Sequence, residues 1–278
     1  MAEEWTTAPA SELTLAKLAE LFTAGFAGYV IAMRMTAAAL AERVCSEAIH
    51  LVSSRVVLRG TEPVGLGLIS RRGRESRLAA MGVIPEARSR GAGRVLLSAL
   101  LEEARARRDA RMRLEVFEAN TQARALYERS GFRLTMRLVG YELQQPRAAV
   151  EDLREVDPAE FARQLGKEEV GALPWQLEPA SLSAPPSGAR CFSLEEKCFA
   201  YVPVVSEQAI SLRGLLTLRA HRRRGLASRM IGALAAEFPG RRISVPQLVP
   251  EGLGAAFFAA RGFGAGALPL LELAFTFP

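Results

Sequence analysis

Leu15, Leu18, Phe22 and Phe26 recur at the three- and four-residue spacing of a single helix face, and Leu40 and Val44 repeat the pattern. Helices are therefore expected over Ser11–Phe26, with Ser11 as N-cap, and over Thr36–Ala48. Arg55–Arg59, Val64–Ser70 and Arg77–Val83 are short apolar and β-branched runs separated by Gly60-Thr61-Glu62-Pro63 and Arg72-Gly73-Arg74, which predicts a three-stranded meander. A glycine-rich turn then opens a helix, Gly91–Arg108, with Leu96, Leu97, Leu100, Leu101 and Ala104 on one stripe. A strand (Arg113–Phe117), a helix (Thr121–Arg129), Gly131-Phe132 and a strand (Arg133–Leu143) complete the first half.

Gln144–Ala149 reads as a linker, after which the order of elements starts again, interrupted by an irregular Pro/Ser/Gly stretch from Gly171 to Gly188. Arg88-Ser89-Arg90-Gly91-Ala92-Gly93 is matched 134 residues later by Arg222-Arg223-Arg224-Gly225-Leu226-Ala227, and Gly131-Phe132 is matched 131 residues later by Gly262-Phe263. Two landmarks in the same order at nearly the same offset predict a duplicated domain, divided as residues 1–143 and 150–278.

Composition narrows the chemistry. The 278 residues are 49% apolar and 24% charged, enough for two ordinary globular cores. Three cysteines (Cys45, Cys191, Cys198) and two histidines (His50, His221) are too few for a disulfide framework or a structural zinc site, so no metal is expected. Cys191 and Cys198 flank an expected hairpin and read as packed or free thiols. The longest nearly apolar stretch, Phe22–Met33, is too short to span a bilayer, and Met1-Ala2-Glu3-Glu4 lacks the basic start of a signal peptide, so the expected address is cytoplasmic, with no membrane partner. The net charge of +6 suits a phosphate-bearing partner. Only three of the 36 basic residues are lysines, the arginines are spread along the chain, and the runs Arg71-Arg72-Gly73-Arg74 and Arg222–Arg224 contain no aromatic residue, so nucleic acid is not expected as a partner.

Val83-Ile84-Pro85-Glu86-Ala87-Arg88-Ser89-Arg90-Gly91-Ala92-Gly93-Arg94 leaves a strand and opens a helix. Such a turn directs successive N–H groups and the positive end of a helix dipole into one concavity, which fits a diphosphate. The same residues also read as a plain strand-to-helix turn. Neither a P-loop nor a Gly-x-Gly-x-x-Gly pattern is present.

Two motifs together resemble the GNAT superfamily of N-acetyltransferases. One is Val83-Ile84-Pro85 followed by Arg88-x-x-Gly91-x-Gly93; the other is Asn120 followed by Leu126-Tyr127-x-x-x-Gly131-Phe132. The resemblance covers roughly Ser11–Leu143, and the remainder more faintly. It implies an α/β fold, here two tandem GNAT-like domains, each a mixed β-sheet flanked by helices, with acetyl-CoA as cosubstrate and a small-molecule or peptide amine as acceptor. By the same resemblance the N–H near Val83 would polarise the thioester. Ser89, Arg90, Gly91, Ala92, Gly93 and Arg94, with Arg88, would hold the phosphates. Asn120 would meet the pantetheine arm, although it is equally a good N-cap. Tyr127 would protonate the leaving thiolate, against the alternative of aromatic filler. Glu115, twelve residues before Tyr127 as in the ribosomal-protein N-terminal acetyltransferases, would act as base through water, against the alternative that it anchors a loop or faces solvent. Phe26, Tyr29, Met33 and Met35 are candidate acceptor walls or core. His221 reads as a surface residue.

In the second half, Tyr127, Asn120 and Glu115 correspond to Phe258, Glu251 and Pro246, so the acid–base groups are lost while fold signals remain. That half is expected to brace the first or wall the acceptor site. The competing class is a module without catalysis: an acyl-CoA sensor or a basic nucleic-acid adaptor. The sequence itself gives no oligomeric state.

Overall fold

The computed structural model describes residues 4–31 and 33–278; Met1–Glu3, inspected above for a signal peptide, and Ala32, inside Phe22–Met33, lie outside the described residues. The chain forms two compact units. The first runs to Val116 and adds Asn120–Thr135 and Glu272–Pro278; the second comprises Phe117–Ala119 and Met136–Leu271. A division at residues 143 and 150 follows chain order, whereas these units interleave.

The first unit contains β1 (Trp5–Pro9), α1 (Leu15–Gly25), α2 (Ala37–Ser46), β2 (Arg55–Arg59), β3 (Glu62–Arg72), β4 (Glu75–Val83), α3 (Ala92–Ala106), β5 (Arg111–Phe117), α4 (Thr121–Arg129) and the start of β6 (Arg133–Leu143). Its sheet runs β1-β2-β3-β4-β5, antiparallel except for the parallel pair β4/β5. The carboxy-terminal strand (Leu270–Thr276) contributes its Glu272–Thr276 part between β5 and the start of β6. Ser11 does not cap α1: it sits in a one-turn 3-10 segment, Leu13 is extended, and Thr14 takes the cap by accepting from the Lys17 N–H at 3.2 Å. Thr36 caps α2 in the same way through the Ala39 N–H.

Leu18, Phe22 and Leu40 close one sheet face over Val56, Leu66 and Leu68, while Leu96, Leu97 and Leu100 of α3 are wholly buried. Burying each such side chain contributes about 1.5–3 kcal/mol. The helices lie close because the strands are small where they touch. A Cβ on Gly67 would fall 2.5 Å from Leu100 Cδ1, and one on Gly82 would lie 3.1 Å from the Gly25 backbone.

The second unit continues β6 and adds β7 (Leu153–Val156), α5 (Ala159–Leu165), α6 (Pro179–Leu182), β8 (Arg190–Leu194), β9 (Cys198–Val202), β10 (Val204–Val205), β11 (Ala209–Ser211), β12 (Gly214–Thr217), α7 (Leu226–Glu237), β13 (Arg242–Pro250), α8 (Ala255–Ala260) and β14 (Gly264–Ala265). One sheet is β12-β9-β8-β7, all antiparallel. The other runs β6-β13-β11-β10, with β11 parallel to β13 and β14 also on β6. Both thiols of the β8–β9 hairpin are buried and in no disulfide, Cys198 Sγ accepting from the Thr217 hydroxyl at 3.4 Å, and burial raises each, Cys191 to about 12 and Cys198 to about 11. Met230 and Leu234 of α7, wholly buried, pack in one core with Phe192, Ala200 and Ile243.

Candidate active site in the first unit

The site begins with a fault in the β3/β4 ladder. Leu68 opposes Ala80 and Ile69 opposes Leu78, so Ala79 is an extra residue that bends β4. β4 then pairs with β5 only from Glu75–Leu78 against Arg111–Leu114, and beyond Leu78 the two parallel strands have no further ladder pairs. The Ile84 N–H donates to the Val64 carbonyl on β3 at 2.9 Å. Because strand N–H groups alternate sides, the Val83 N–H points away from β3, toward the side that β5 has left.

Past Val83 the chain turns through Pro85–Ala87 into α3. Ser89 and Gly91 both take left-handed backbone angles, with φ 59° and 97°. Extended Arg88 followed by left-handed Ser89, with left-handed Gly91 capping α3, is the kind of turn that gathers main-chain N–H groups beside the positive end of a helix dipole. Gly91 is needed there because of its φ. Ala92 is buried and offers only its main chain, and Gly93 leaves ordinary contact distance to Met81, Val83 and Leu126. Trp5 Nε1 donates to the Arg90 carbonyl at 3.0 Å, and Gln122 Nε2 donates to Ser89 Oγ at 3.1 Å.

Arg88 is turned inward. Its Nε donates to the Val83 carbonyl at 2.9 Å, and its Nη2 donates to the carbonyls of Gly25 (3.0 Å) and Ala27 (2.7 Å). The guanidinium clamps the turn to the end of α1. Arg90 and Arg94 are exposed at the rim of the turn.

Asn120 is the N-cap of α4, with Oδ1 accepting from the Ala123 N–H at 3.1 Å, and its side chain is also hydrogen-bonded to Tyr29. Tyr127, on α4, is buried, and its ring stands edge-on to Phe132 at 5.8 Å. Burial raises the Tyr127 phenol above its ordinary value, and the neighbouring Tyr29 adds to the shift. Tyr29 is raised too, chiefly by burial. The motif residues after Tyr127 are structural: Gly131 has φ 100°, and the Phe132 N–H donates back to the Tyr127 carbonyl at 3.1 Å.

Glu115 lies on β5 just past the last paired residue. Arg77 Nε donates to its Oε2 at 2.9 Å, and Arg77 Nη1 donates to Glu47 Oε2 at 3.1 Å. Arg77 is buried, and although burial opposes its charge, the two carboxylates raise it further and keep it a cation. Glu47 is held below its ordinary value despite burial, because Arg43 and Arg77 both bind it. Glu115 Oε1 is buried with no hydrogen-bond partner among the described residues. Arg77 and Glu47 were not anticipated from sequence; the signal available was a charged Arg77 and Glu115 on otherwise apolar strand positions.

Residues 24–132 match the family model described as "Acetyltransferase (GNAT) family". This segment belongs to the GNAT family. The fold of the whole chain resembles a tandem GNAT protein from the clavulanic acid biosynthesis pathway (17% identity, 98% of each chain, TM-score 0.70). It also resembles a GCN5-related N-acetyltransferase from Sphaerobacter thermophilus (14% identity, 98% of this chain and 95% of that one, TM-score 0.69). A third similar structure is a putative acetyltransferase from Pyrococcus horikoshii (19% identity, 99% and 89%, TM-score 0.64). The GNAT match supports acyl transfer as the general chemistry.

The second GNAT-like half repeats the turn in detail. Arg223 and Gly225 have φ 63° and 79°, and Arg222 Nε donates to the Thr217 carbonyl at 3.0 Å, each exactly as far along the chain from its counterpart as Arg222 is from Arg88. The Phe263 N–H donates to the Phe258 carbonyl at 3.0 Å, repeating Phe132 and Tyr127. The counterpart of Asn120 shifts, however. Helix α8 is short, its N-cap is Gly254 with no side-chain cap bond, and Glu251 instead pairs with Arg137. Pro246 sits where the β6/β13 register breaks between Val245 and Val249. Among the described residues no group of three or more His, Cys, Asp or Glu is placed to hold a metal, and no helix is long and apolar enough to cross a membrane.

Proposed function

We propose that the first unit moves an acetyl group from acetyl-CoA to an amine by direct attack on the thioester. The carrying observation is the open side of β4 beyond Leu78, followed by the Ser89–Gly91 turn, where Gly93 has both Val83 of β4 and Leu126 of α4 as neighbours. The residues fit that cosubstrate: main-chain donors of the turn for the diphosphate, exposed Arg90 and Arg94 for further phosphate charge, and a strand edge for the pantetheine amides. When bound, acetyl-CoA supplies the activated acyl group. The Val83 N–H donates to the acyl oxygen and stabilises charge developing there. Glu115 Oε1, the oxygen Arg77 does not use, takes the ammonium proton through a water. The amine nitrogen bonds to the acyl carbon, the carbon–sulfur bond breaks, the Tyr127 hydroxyl gives its proton to the departing sulfur, and the second proton shed by the nitrogen returns to the phenolate through water. The raised phenol suits that role, since it stays protonated through neutral and mildly alkaline pH.

The acceptor is a small-molecule or peptide amine, received beside Phe26, Tyr29, Met33 and Met35. Much of the arginine excess is spent internally, Arg55 on Glu103, Arg190 on Glu155 and Glu237, Arg229 on Glu151 and Glu195, which supports a reading without nucleic acid. The free thiols of Cys45, Cys191 and Cys198 suit a reducing cytoplasm. Release of CoA from acetyl-CoA across an amine library tests the proposal. Amine-dependent release, lost in Gly91→Val, is expected. Tight acetyl-CoA binding with no release for any amine would favour the sensor, and no binding at all would end both readings.

A further inference from the structure

Two buried carboxyls stand across from each other in the sheet of the first unit. The Phe277 N–H donates to the Ala110 carbonyl and the Glu118 N–H to the Pro269 carbonyl, each at 3.0 Å. These bonds lie eight positions apart on either strand, so β5 and the carboxy-terminal strand run antiparallel in one register. Glu115 is five residues past Ala110 and Glu272 five before Phe277, which makes them a directly opposed pair. Hydrogen-bonded pairs alternate with non-hydrogen-bonded ones, and the odd step puts this pair among the latter, whose Cβ atoms stand about 4.5–5.5 Å apart. The Glu115 side chain is 5% exposed and Glu272 2%. Each spends one oxygen elsewhere: Arg77 Nε donates to Glu115 Oε2, and the Thr135 hydroxyl to Glu272 Oε1. Glu115 Oε1 and Glu272 Oε2 are buried with no hydrogen bond among the described residues. Like charges directly opposed weaken a sheet, and a buried acceptor without a donor is costly, so the arrangement calls for a donor between the two.

We propose that Glu272 is a positioning residue for proton transfer in the first unit: Glu115 Oε1 and Glu272 Oε2 together hold one proton, the one shed by the incoming ammonium. This rests on the reading of Glu115 as the base. The ammonium N–H bond breaks as its proton passes through water to Glu115 Oε1, and Glu272 Oε2 accepts a hydrogen bond from the new O–H. After the product leaves, the proton returns to solvent. A lone carboxylate is a weak base for an ammonium, and a second anion facing it favours uptake of the proton. Nearby cations keep the pair ionised until then. Arg77, shared with Glu47, lies on one side, and Arg113 Nη1 is 4.0 Å from Glu272 Oε2 on the other. Arg113 and Arg111 are in turn held by Glu75. Burial raises the Glu272 carboxyl and, against the hydrogen bond from Thr135, the charge of Glu115 raises it further.

The test has two readouts on the full chain. In the first, carbon NMR follows the glutamate side-chain carboxyls through a pH titration without ligand, with Glu272 assigned through its main chain. The Glu272 midpoint should fall by about one pH unit or more in Glu115→Gln. In the second, the acid limb of kcat/KM is measured for acetyl-CoA with the amine that releases CoA fastest. Glu272→Gln removes the facing charge, so the base takes up its proton only at lower pH. The limb should move down by a similar interval, because coupling between two sites is reciprocal, and plateau kcat should fall several-fold. A merely structural Glu272 would move neither readout. A Glu272 midpoint that stays in place in Glu115→Gln, or an acid limb in folded Glu272→Gln that coincides with the parent's, overturns the proposal and leaves Glu115 as the base. Should Glu272→Gln not fold, the first readout decides. Parental kcat in Glu115→Gln, or no CoA release with any amine, removes the base itself and this proposal with it.

Discussion

Arg77 Nε lies 2.9 Å from Glu115 Oε2, while the same guanidinium reaches Glu47 Oε2 at 3.1 Å. One buried cation thus ties β5 to the end of α2 and fixes which oxygen of Glu115 is left over. Removing it strands the Glu115 carboxylate in a poorly solvated place and leaves Glu47 to Arg43 alone. Arg77→Met should therefore destabilise the fold by about 3–5 kcal/mol in urea unfolding. Glu115→Gln keeps an oxygen for Arg77 and should unfold nearly as the parent does, yet lose about 10²- to 10⁴-fold in kcat. Unchanged kcat in the glutamine variant would leave Glu115 as a structural partner of Arg77 only.

Tyr127→Phe isolates the hydroxyl. The second unit shows that phenylalanine suits this place in the motif: Phe258 packs edge-on to Phe263 at 5.2 Å and keeps the same main-chain hydrogen bond. The variant should fold, bind acetyl-CoA with nearly parental affinity in calorimetry, and turn over at least several-fold more slowly. Its pH profile should also lose any alkaline limb due to the phenol. Parental turnover would remove Tyr127 from the chemistry.

The elements from β2 to β6 lie within two residues of their expected bounds, because apolar spacing is a local signal that survives tertiary packing. The duplicated turn was equally legible, since it depends on glycine and on residues adjacent in sequence. What escaped was non-local. β1 is short and ends in Pro9, so it carries little alternation of its own. Nothing in Leu270–Thr276 says that its Glu272–Thr276 part joins the first unit, as strand periodicity names a face and not a partner. The inward turn of Arg88 is of the same kind: an arginine in a glycine turn reads as a phosphate ligand until the carbonyls of Gly25 and Ala27 are brought beside it.

Arg88 should accordingly behave as a clamp. Arg88→Leu leaves three carbonyls without this donor and should cost about 1–3 kcal/mol of stability. Its effect on acetyl-CoA should appear as a raised KM with little salt dependence, whereas Arg94→Leu at the exposed rim should weaken binding in proportion to screening. Arg88→Lys should fail to restore the loss, as a single ammonium cannot reproduce the planar fork. A salt dependence in Arg88→Leu equal to that of Arg94→Leu would make Arg88 a phosphate ligand after all.

Glu272, on the carboxy-terminal strand of the first unit, is buried, with Oε1 accepting from the Thr135 hydroxyl at 2.8 Å and Oε2 without a hydrogen bond among the described residues, 4.0 Å from Arg113 Nη1. Burial raises its carboxyl, the charge of Glu115 raises it further, and Thr135, Arg113 and Arg111 offset this only in part. A carboxyl raised on folding is protonated in the native state at pH values where the unfolded chain has already ionised, so its contribution to stability is full below about pH 4.3 and is lost as pH climbs through the native value. Glu272→Gln preserves the oxygen facing Thr135 and removes that loss. The variant should melt above the parent at pH 8, by roughly 2–4 °C for each kcal/mol recovered, and the gap should close as the pH falls toward 4. A gap that is constant with pH would mean that the gain is not the titration of this carboxyl, and a variant less stable at pH 8 would mean that Glu272 is held there as a needed anion beside Arg113.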